Sequence, residues 1–276
     1  MSSKAKRRAS ENACNRRSGA YSRVMKCQGK YERDARAQGF QCIAGVDEVG
    51  RGALFGPVFA AAVILSPDRP IRGLRDSKLL DAERRETLAA RIRERAVAWS
   101  VAAVDAFEID RINILQASRQ AMRRAIQRLA PAPDYLLVDA VTVDLPIAQR
   151  ALIHGDALSQ CIAAASIIAK VERDACMRAW DLVFPQYGLK NHKGYSTDEH
   201  WKALETHGPT ALHRFSFWPV REHAPHALWT GYPRQAGLFG PEPLTDEPSR
   251  DAKPSRDAKP SRDREEAVPE DAACLH

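Results

Sequence analysis

The run 44–65, AGVDEVGRGALFGPVFAAAVIL, sets two adjacent carboxylates, Asp47 and Glu48, at the end of one apolar stretch, follows them with Gly50, Arg51 and Gly52, and then turns apolar again. Val- and Ile-bearing stretches joined by a short glycine-rich turn pair as antiparallel neighbours, so 43–48 and 57–65 are predicted to form a hairpin. Adjacent strand residues point to opposite faces. Two acids that serve one site must therefore stand where the strand ends or distorts, and a Gly-Arg-Gly turn permits that. Burying two unpaired carboxylates costs several kcal/mol or raises their pKa values, a penalty that a divalent cation removes. On a solvated turn the same pair would be ordinary surface acids. The apolar sequence on both sides favours a site for metal ions and phosphates.

Downstream, Asp81 is placed to cap a helix, DAERRETLAARIRERA, in which Leu88, Ile92 and Ala96 recur at helical spacing over a charged face. A third strand is predicted over 96–105. A helix is predicted over 109–129, with Ile112, Leu115, Met122, Ile126 and Leu129 as its apolar stripe and Pro131 and Pro133 closing it. DYLLVDA (134–140) reads as a short buried strand whose last turn exposes Asp139, and 149–154 as another that leads into GDALSQCIAAASIIAKVERDACMRAW. Between Ile162 and Val171 that segment is apolar and small on every side, which predicts a helix buried all round, with Asp156 just before its first turn. The fold class is α/β with a mixed sheet, and acids stand at strand ends or a helix entry. Taken singly, Asp139 also reads as a strand-end turn residue and Asp156 as a helix cap favoured by the dipole.

The two ends differ from this body. Residues 1–30 hold nine Lys and Arg against Glu11, a balance of +8 that exceeds the +7 of the whole chain. Such an arm predicts a disordered segment that holds an anionic polymer by counterion release, or else a dispensable extension. Residues 226–276 are expected to be a disordered polar tail, because PSRDAKPSRDAKPSRDREE repeats a proline-bearing unit that buries almost nothing. The folded domain is thus expected over 31–225. No apolar run reaches the length of a membrane span, and no apolar leader follows Met1. Cys14, Cys27, Cys42, Cys161, Cys176 and Cys274 form no C-x-x-C pair, which fits reduced cytoplasmic thiols better than a zinc site or a disulfide framework.

The blocks resemble ribonuclease HII. GVDEVGRGALFGPVFAAAVIL looks like that family's opening motif and LRDSKLL like its Asp-Ser-Lys loop; RINILQAS, DYLLVDA, GDALSQCIAAASIIAKVERD and YGLKNHKGYSTDEH match its later blocks in order, over nearly all of 31–221. The resemblance implies the ribonuclease H-like fold, a mixed five-stranded sheet flanked by helices, with a C-terminal helical segment. It implies a metal-dependent endoribonuclease that cuts the RNA-containing strand of RNA/DNA hybrids 5′ to a ribonucleotide, leaving 3′-hydroxyl and 5′-phosphate ends. Single ribonucleotides embedded in duplex DNA are the expected main substrates, and a cytoplasmic monomer is expected.

By the same resemblance the family's four metal-binding acids carry over to Asp47, Glu48, Asp139 and Asp156, which would hold two Mg2+ or Mn2+ ions. Oxygen donors suit such hard ions, whereas histidine or cysteine would point toward zinc. Gly50, Arg51 and Gly52 correspond to the family residues that read a 2′-hydroxyl largely through backbone groups, a close approach that glycine allows. Ser77 and Lys78 resemble residues that hold substrate phosphates, with Asp76 pairing that lysine or shaping the turn. Tyr195 matches the tyrosine that packs on the sugar beyond the cleaved phosphate, its other reading being a buried core residue.

Some positions depart from the pattern or stay open. His154 stands where the family often has lysine, and Cys161 where serine is usual. Asp174 lies about five turns, ~27 Å, along the helix from Asp156 and is expected to pair with Arg173 or Arg178 on the helix surface. His192, His200, His207 and His213 have no zinc-site spacing and read as helix and loop histidines. Two alternatives remain, a ribonuclease HIII-type nuclease for longer hybrids and a binding protein that kept the fold without the chemistry. The Gly-Arg-Gly run and Tyr195 speak against the first, the four acids against the second.

Overall fold

The predicted hairpin forms: β1 (Ile43–Val49) and β2 (Val58–Leu65) pair antiparallel from Ala44↔Ile64 to Val49↔Phe59. The structure, a computed structural model, describes residues 29–224. Apart from Gly29 and Lys30, the basic arm lies outside the described residues, as does the repeated tail. β3 (Ala96–Val104) continues the sheet antiparallel to β2, while β4 (Tyr135–Asp139) and β5 (Ala148–Leu152) add in parallel on the far side of β1. The order is β3-β2-β1-β4-β5, a mixed five-stranded sheet.

The register positions the acids. β1 stays paired with β2 as far as Val49, but its pairing with β4 ends at Val46↔Val138. The two central strands therefore part where Asp47, Glu48 and Asp139 stand, and a crevice opens at their carboxyl ends, the usual place for a ligand in such a sheet. The expected strand end falls later than the acids, at Gly50, whose φ of 92° only glycine adopts without strain. It is the loss of β4, and not a distortion of β1, that makes room.

The helices are α1 (Lys30–Ala37), α2 (Ala82–Arg95), α3 (Ala106–Ile112), α4 (Ile114–Gln127), α5 (Gly155–Leu158), α6 (Gln160–Val183), α7 (Leu189–His192), α8 (Asp198–His207) and α9 (Trp218–Glu222), the last three forming the expected C-terminal helical part. Asp81 caps α2 as predicted, accepting from the Arg84 amide at 2.7 Å. One face of the sheet packs Ala44, Val46, Ala60 and Ala62 against Ala117, Ala121, Met122 and Ala125 of α4. The other packs Ala61 and Val63 against Leu88 and Ile92 of α2 and the small residues of α6. That second layer is close. A Cβ on Gly45 would stand 2.0 Å from the Cys161 carbonyl carbon, so only glycine lets the α6 backbone lie on β1.

Two expected helices are broken. The predicted helix over 109–129 divides at Asn113, which takes φ 71° and caps α4 by accepting from the Gln116 amide at 3.0 Å. The apolar stripe shifts accordingly: Leu115 is exposed, and Ala117, Ala121, Met122, Ala125 and Ile126 are buried. Asp156 likewise belongs to its own short helix, α5, because Ser159 restarts the chain as the cap of α6. Ser159 Oγ donates to Glu32 Oε1 at 2.6 Å and the Cys161 amide to the same oxygen at 2.9 Å, which ties α1 to that junction. Among the described residues no helix is long and apolar enough to cross a membrane. Cys42, Cys161 and Cys176 are free thiols.

Candidate active site

Asp47, two residues beyond Gly45 on β1, lies on the α6 side of the crevice, where its carboxylate takes a hydrogen bond from Ser166 and Oδ1 accepts from the Glu48 amide at 2.7 Å. Ser166 Oγ in turn meets Ser77 Oγ at 2.9 Å, so the Asp-Ser-Lys loop is joined to the same point. Burial, then the charges of Glu48 and Asp139, push the Asp47 carboxyl well above the usual carboxylate range. Glu48 is paired by Oε1 with Arg51 at 3.2 Å, while its Oε2 is buried without a partner. Burial raises its pKa despite the arginine.

Asp139 ends β4 and accepts from the Gly155 amide at 2.7 Å, an approach that leaves little room for a side chain at 155. Asp156 follows on α5. Burial first, then the charges of Asp76 and Asp139, lift it to about 6. Asp76 does cap the turn Ser77–Leu79, accepting from the Lys78 amide at 2.8 Å, but it also reaches Asp156. The Lys78 ammonium lies in the field of Asp76, Asp156, Asp47 and Asp139, which outweighs its own partial burial and raises its pKa. All four acids, with Ser77 and Lys78, thus share one site.

Their donor chemistry suits a hard divalent cation: carboxylate oxygens alone, in excess over nearby positive charge, with one buried oxygen of Glu48 unsatisfied. As they stand, no group of three or more His, Cys, Asp or Glu side chains among the described residues is arranged to hold a metal ion. Asp47 takes a hydrogen bond from Ser166, Glu48 pairs with Arg51, Asp139 accepts from the Gly155 amide, and Asp156 lies against Asp76.

The Gly-Arg-Gly loop and Tyr195 also meet. Ala53 bridges to Tyr195, and the Leu54 amide donates to the Gly194 carbonyl at 2.8 Å. Tyr195 is half-buried with the Arg173 guanidinium 5.2 Å over its ring, so it is no core tyrosine. Arg173 is wholly buried, donates to the Lys193 carbonyl at 2.9 Å, and packs so tightly on Gly50 that a Cβ there would lie 2.2 Å from its Nε. Arg214, equally buried, donates to the Arg51 carbonyl at 2.8 Å and the Gly56 carbonyl at 3.0 Å. Sequence reasoning missed both arginines, since an arginine in a helix or a polar loop reads as surface.

One other expectation needs correction. Asp174 is buried and pairs with Lys170 at 2.7 Å, because the i, i+4 spacing puts those two on one helix face, whereas Arg173 points inward and Arg178 reaches Glu86. The histidines are helix and loop residues as expected, and His192, His200 and His213 gather there, with the His192 and His200 rings stacked 4.6 Å apart. Cys161 lies in the core beneath β1, so its departure from the family pattern does not touch the acids.

A mixed sheet in this order, with acids gathered where its two central strands part, defines the class as ribonuclease H-like. The family model for ribonuclease HII matches residues 44–220, and the chain belongs to that family of endoribonucleases acting on RNA/DNA hybrids, whose relatives depend on divalent metal. It is 66% identical to the ribonuclease HII of Solibacter usitatus, over 78% of this chain and 93% of that protein. It is 60% identical to that of Koribacter versatilis over 71% and 77%. The crystal structure of ribonuclease H2 from Pyrococcus horikoshii OT3 superimposes with a TM-score of 0.57 at 25% identity, covering 66% of this chain and 97% of that one.

Proposed function

We propose that Asp47, Glu48, Asp139 and Asp156 hold two divalent cations, Mg2+ or Mn2+, and that the enzyme cleaves 5′ to a ribonucleotide, single ribonucleotides in duplex DNA included. The observation that carries this reading is the buried, unpartnered Glu48 Oε2 beside an Asp47 carboxyl that burial and three neighbouring acids push up. Bound there, divalent cations supply activation of a water, stabilisation of the leaving 3′-oxygen and neutralisation of the phosphate. The chain's own groups do the rest. Lys78 brings a half-buried ammonium toward the phosphate, and Ser77, joined through Ser166 to Asp47, fixes the loop that carries it.

The turn at Gly50–Gly52 offers backbone groups to a ribose, Arg173 filling the space a side chain at 50 would need, and Arg51 is held back toward Glu48. Tyr195 presents its ring to the sugar on the 3′ side, where a 2′-hydroxyl would crowd it. The experiment is incubation of the purified protein with a duplex carrying one ribonucleotide, with Mg2+, Mn2+ or chelator. A single metal-dependent cut on the 5′ side of the ribonucleotide is expected. Cleavage of continuous hybrids alone would favour the ribonuclease HIII-type reading, and binding without cleavage the inactive one.

A further inference from the structure

Beneath Tyr195 runs a chain of imidazoles that the proposed chemistry does not use. The turn that presents the tyrosine has two left-handed residues, Lys193 at φ 54° and Gly194 at φ 77°. A non-glycine residue holds such a conformation only where its surroundings over-determine it. Here they do. The Lys193 carbonyl accepts from Arg173 at 2.9 Å, the Gly194 amide donates to His192 Nδ1 at 3.1 Å, and the Tyr195 carbonyl faces His200 Nδ1 at 3.0 Å. Behind them His200 Nε2 meets His213 Nε2 at 3.2 Å, and the Thr210 amide donates to His213 Nδ1 at 2.9 Å. His200 and His213 are both 0% exposed.

The ends of this chain dictate its protons. An amide only donates, so His213 Nδ1 is an acceptor and its proton sits on Nε2. A carbonyl only accepts, so His200 Nδ1 carries the proton and its Nε2 accepts. The two tautomers agree at the contact between the rings, where His213 Nε2–H donates to His200 Nε2. A proton added to either ring would set two N–H groups against each other. Burial, which holds His213 down to about 3 and His200 to about 4, keeps both neutral at working pH.

We propose that the directed chain Thr210–His213–His200 is a positioning device for Tyr195, holding its backbone against the Gly50–Gly52 loop and so sharpening the preference for a ribonucleotide followed by DNA. His200 and His213 act through Tyr195 and touch no substrate. The inference rests on the reading of Tyr195 above. Without His200, the Tyr195 carbonyl keeps only the Thr197 amide, at 3.0 Å, and the strained turn is left with two of its three side-chain anchors.

The test uses the full chain and two readouts. Histidine side-chain 15N NMR of the wild type is expected to show His213 as the Nε2–H tautomer and His200 as the rarer Nδ1–H tautomer, unchanged from pH 5 to 8. The ratio of kcat/KM on an embedded ribonucleotide to that on a continuous hybrid is then compared in His200→Phe, His200→Asn and Tyr195→Ala. His200→Phe keeps the ring volume and removes both nitrogens, and is expected to lower the ratio about tenfold. His200→Asn places an amide donor near Nδ1 and should recover most of it. An Nε2–H tautomer at His200 overturns the proposal, and needs no variant to fold. So does a His200→Phe enzyme of lowered melting temperature and unchanged ratio while Tyr195→Ala changes it. An unchanged ratio in Tyr195→Ala removes the reading of Tyr195 itself, a distinct failure.

Discussion

At the scale of single residues the site is defined by a conflict: carboxylates that the fold buries and crowds, with Lys78 and Arg51 too few to balance them. Asp47→Asn removes one charge yet keeps an oxygen to accept from the Glu48 amide. It is therefore expected to abolish Mg2+-supported cleavage while leaving the melting temperature in chelator equal or higher, and to lose the rise that Mg2+ gives the wild type. Near-normal turnover by this variant would remove Asp47 from the ligand set. Asp156 makes the pH dependence explicit. Its folded pKa, about 6, lies above the ordinary carboxylate value, so between those two pH values the folded state binds more protons than the unfolded one. The metal-free protein must then lose stability from this group as pH rises toward 6, and stay lower above it. Thermal melts in chelator should show wild type falling relative to Asp156→Asn over that window, and Mg2+ stabilising wild type more at pH 8 than at pH 5. A constant difference across the window would mean that Asp156 is not strained by its neighbours.

Between elements, β1 lies so close on α6 that Gly45 has no room for a side chain. Gly45→Ala would drive a Cβ into the backbone at Cys161, where no side chain can yield, so α6 must move away from Asp47. A loss of at least about 1–3 kcal/mol is expected, read as a lowered urea midpoint, together with reduced activity because Ser166 moves with the helix. Retention of wild-type stability would show that the two elements have slack. The same close packing explains what the sequence made legible. The apolar, small run 162–171 announced a helix buried on all sides, and two short apolar stretches about a glycine-rich turn announced the hairpin, because both patterns are local. The breaks at Asn113 and Ser159 were hidden, since each is flanked by residues that suit a helix and becomes a cap only when the chain turns there. The four acids were legible as a set only through the resemblance: two are neighbours in sequence, one ends a strand and one enters a helix, and nothing local says that they meet. The histidine chain was not: its members come from α7, α8 and the loop after it, and only tertiary contact makes them one network. Arg173 was hidden likewise, for nothing in VERD says that the arginine faces inward and the aspartate pairs four residues back.

For the whole molecule the charge is distributed against its own substrate. The acids gathered between β1 and β4 repel a polyanion, and everything after residue 30 sums to about −1, while residues 1–28 carry eight Lys and Arg against Glu11, a balance of +7 equal to that of the whole chain. The basic surplus of that arm makes it the expected source of long-range attraction to a nucleic acid. No described element includes residues 1–28, so their deletion is a clean test. The expected result is an unchanged kcat at saturating substrate, a raised KM on hybrids, and a flatter dependence of log affinity on log salt, by about 0.9 for every duplex-DNA phosphate that the arm would otherwise neutralise. Deleting 248–276, which holds six basic and seven acidic residues, should change neither quantity, since a segment so balanced releases few counterions. Binding titrations of the three chains between low and physiological salt decide the matter. Equal slopes for the full chain and the arm deletion would assign the attraction to the folded domain, and would make the arm the dispensable extension its composition also allows.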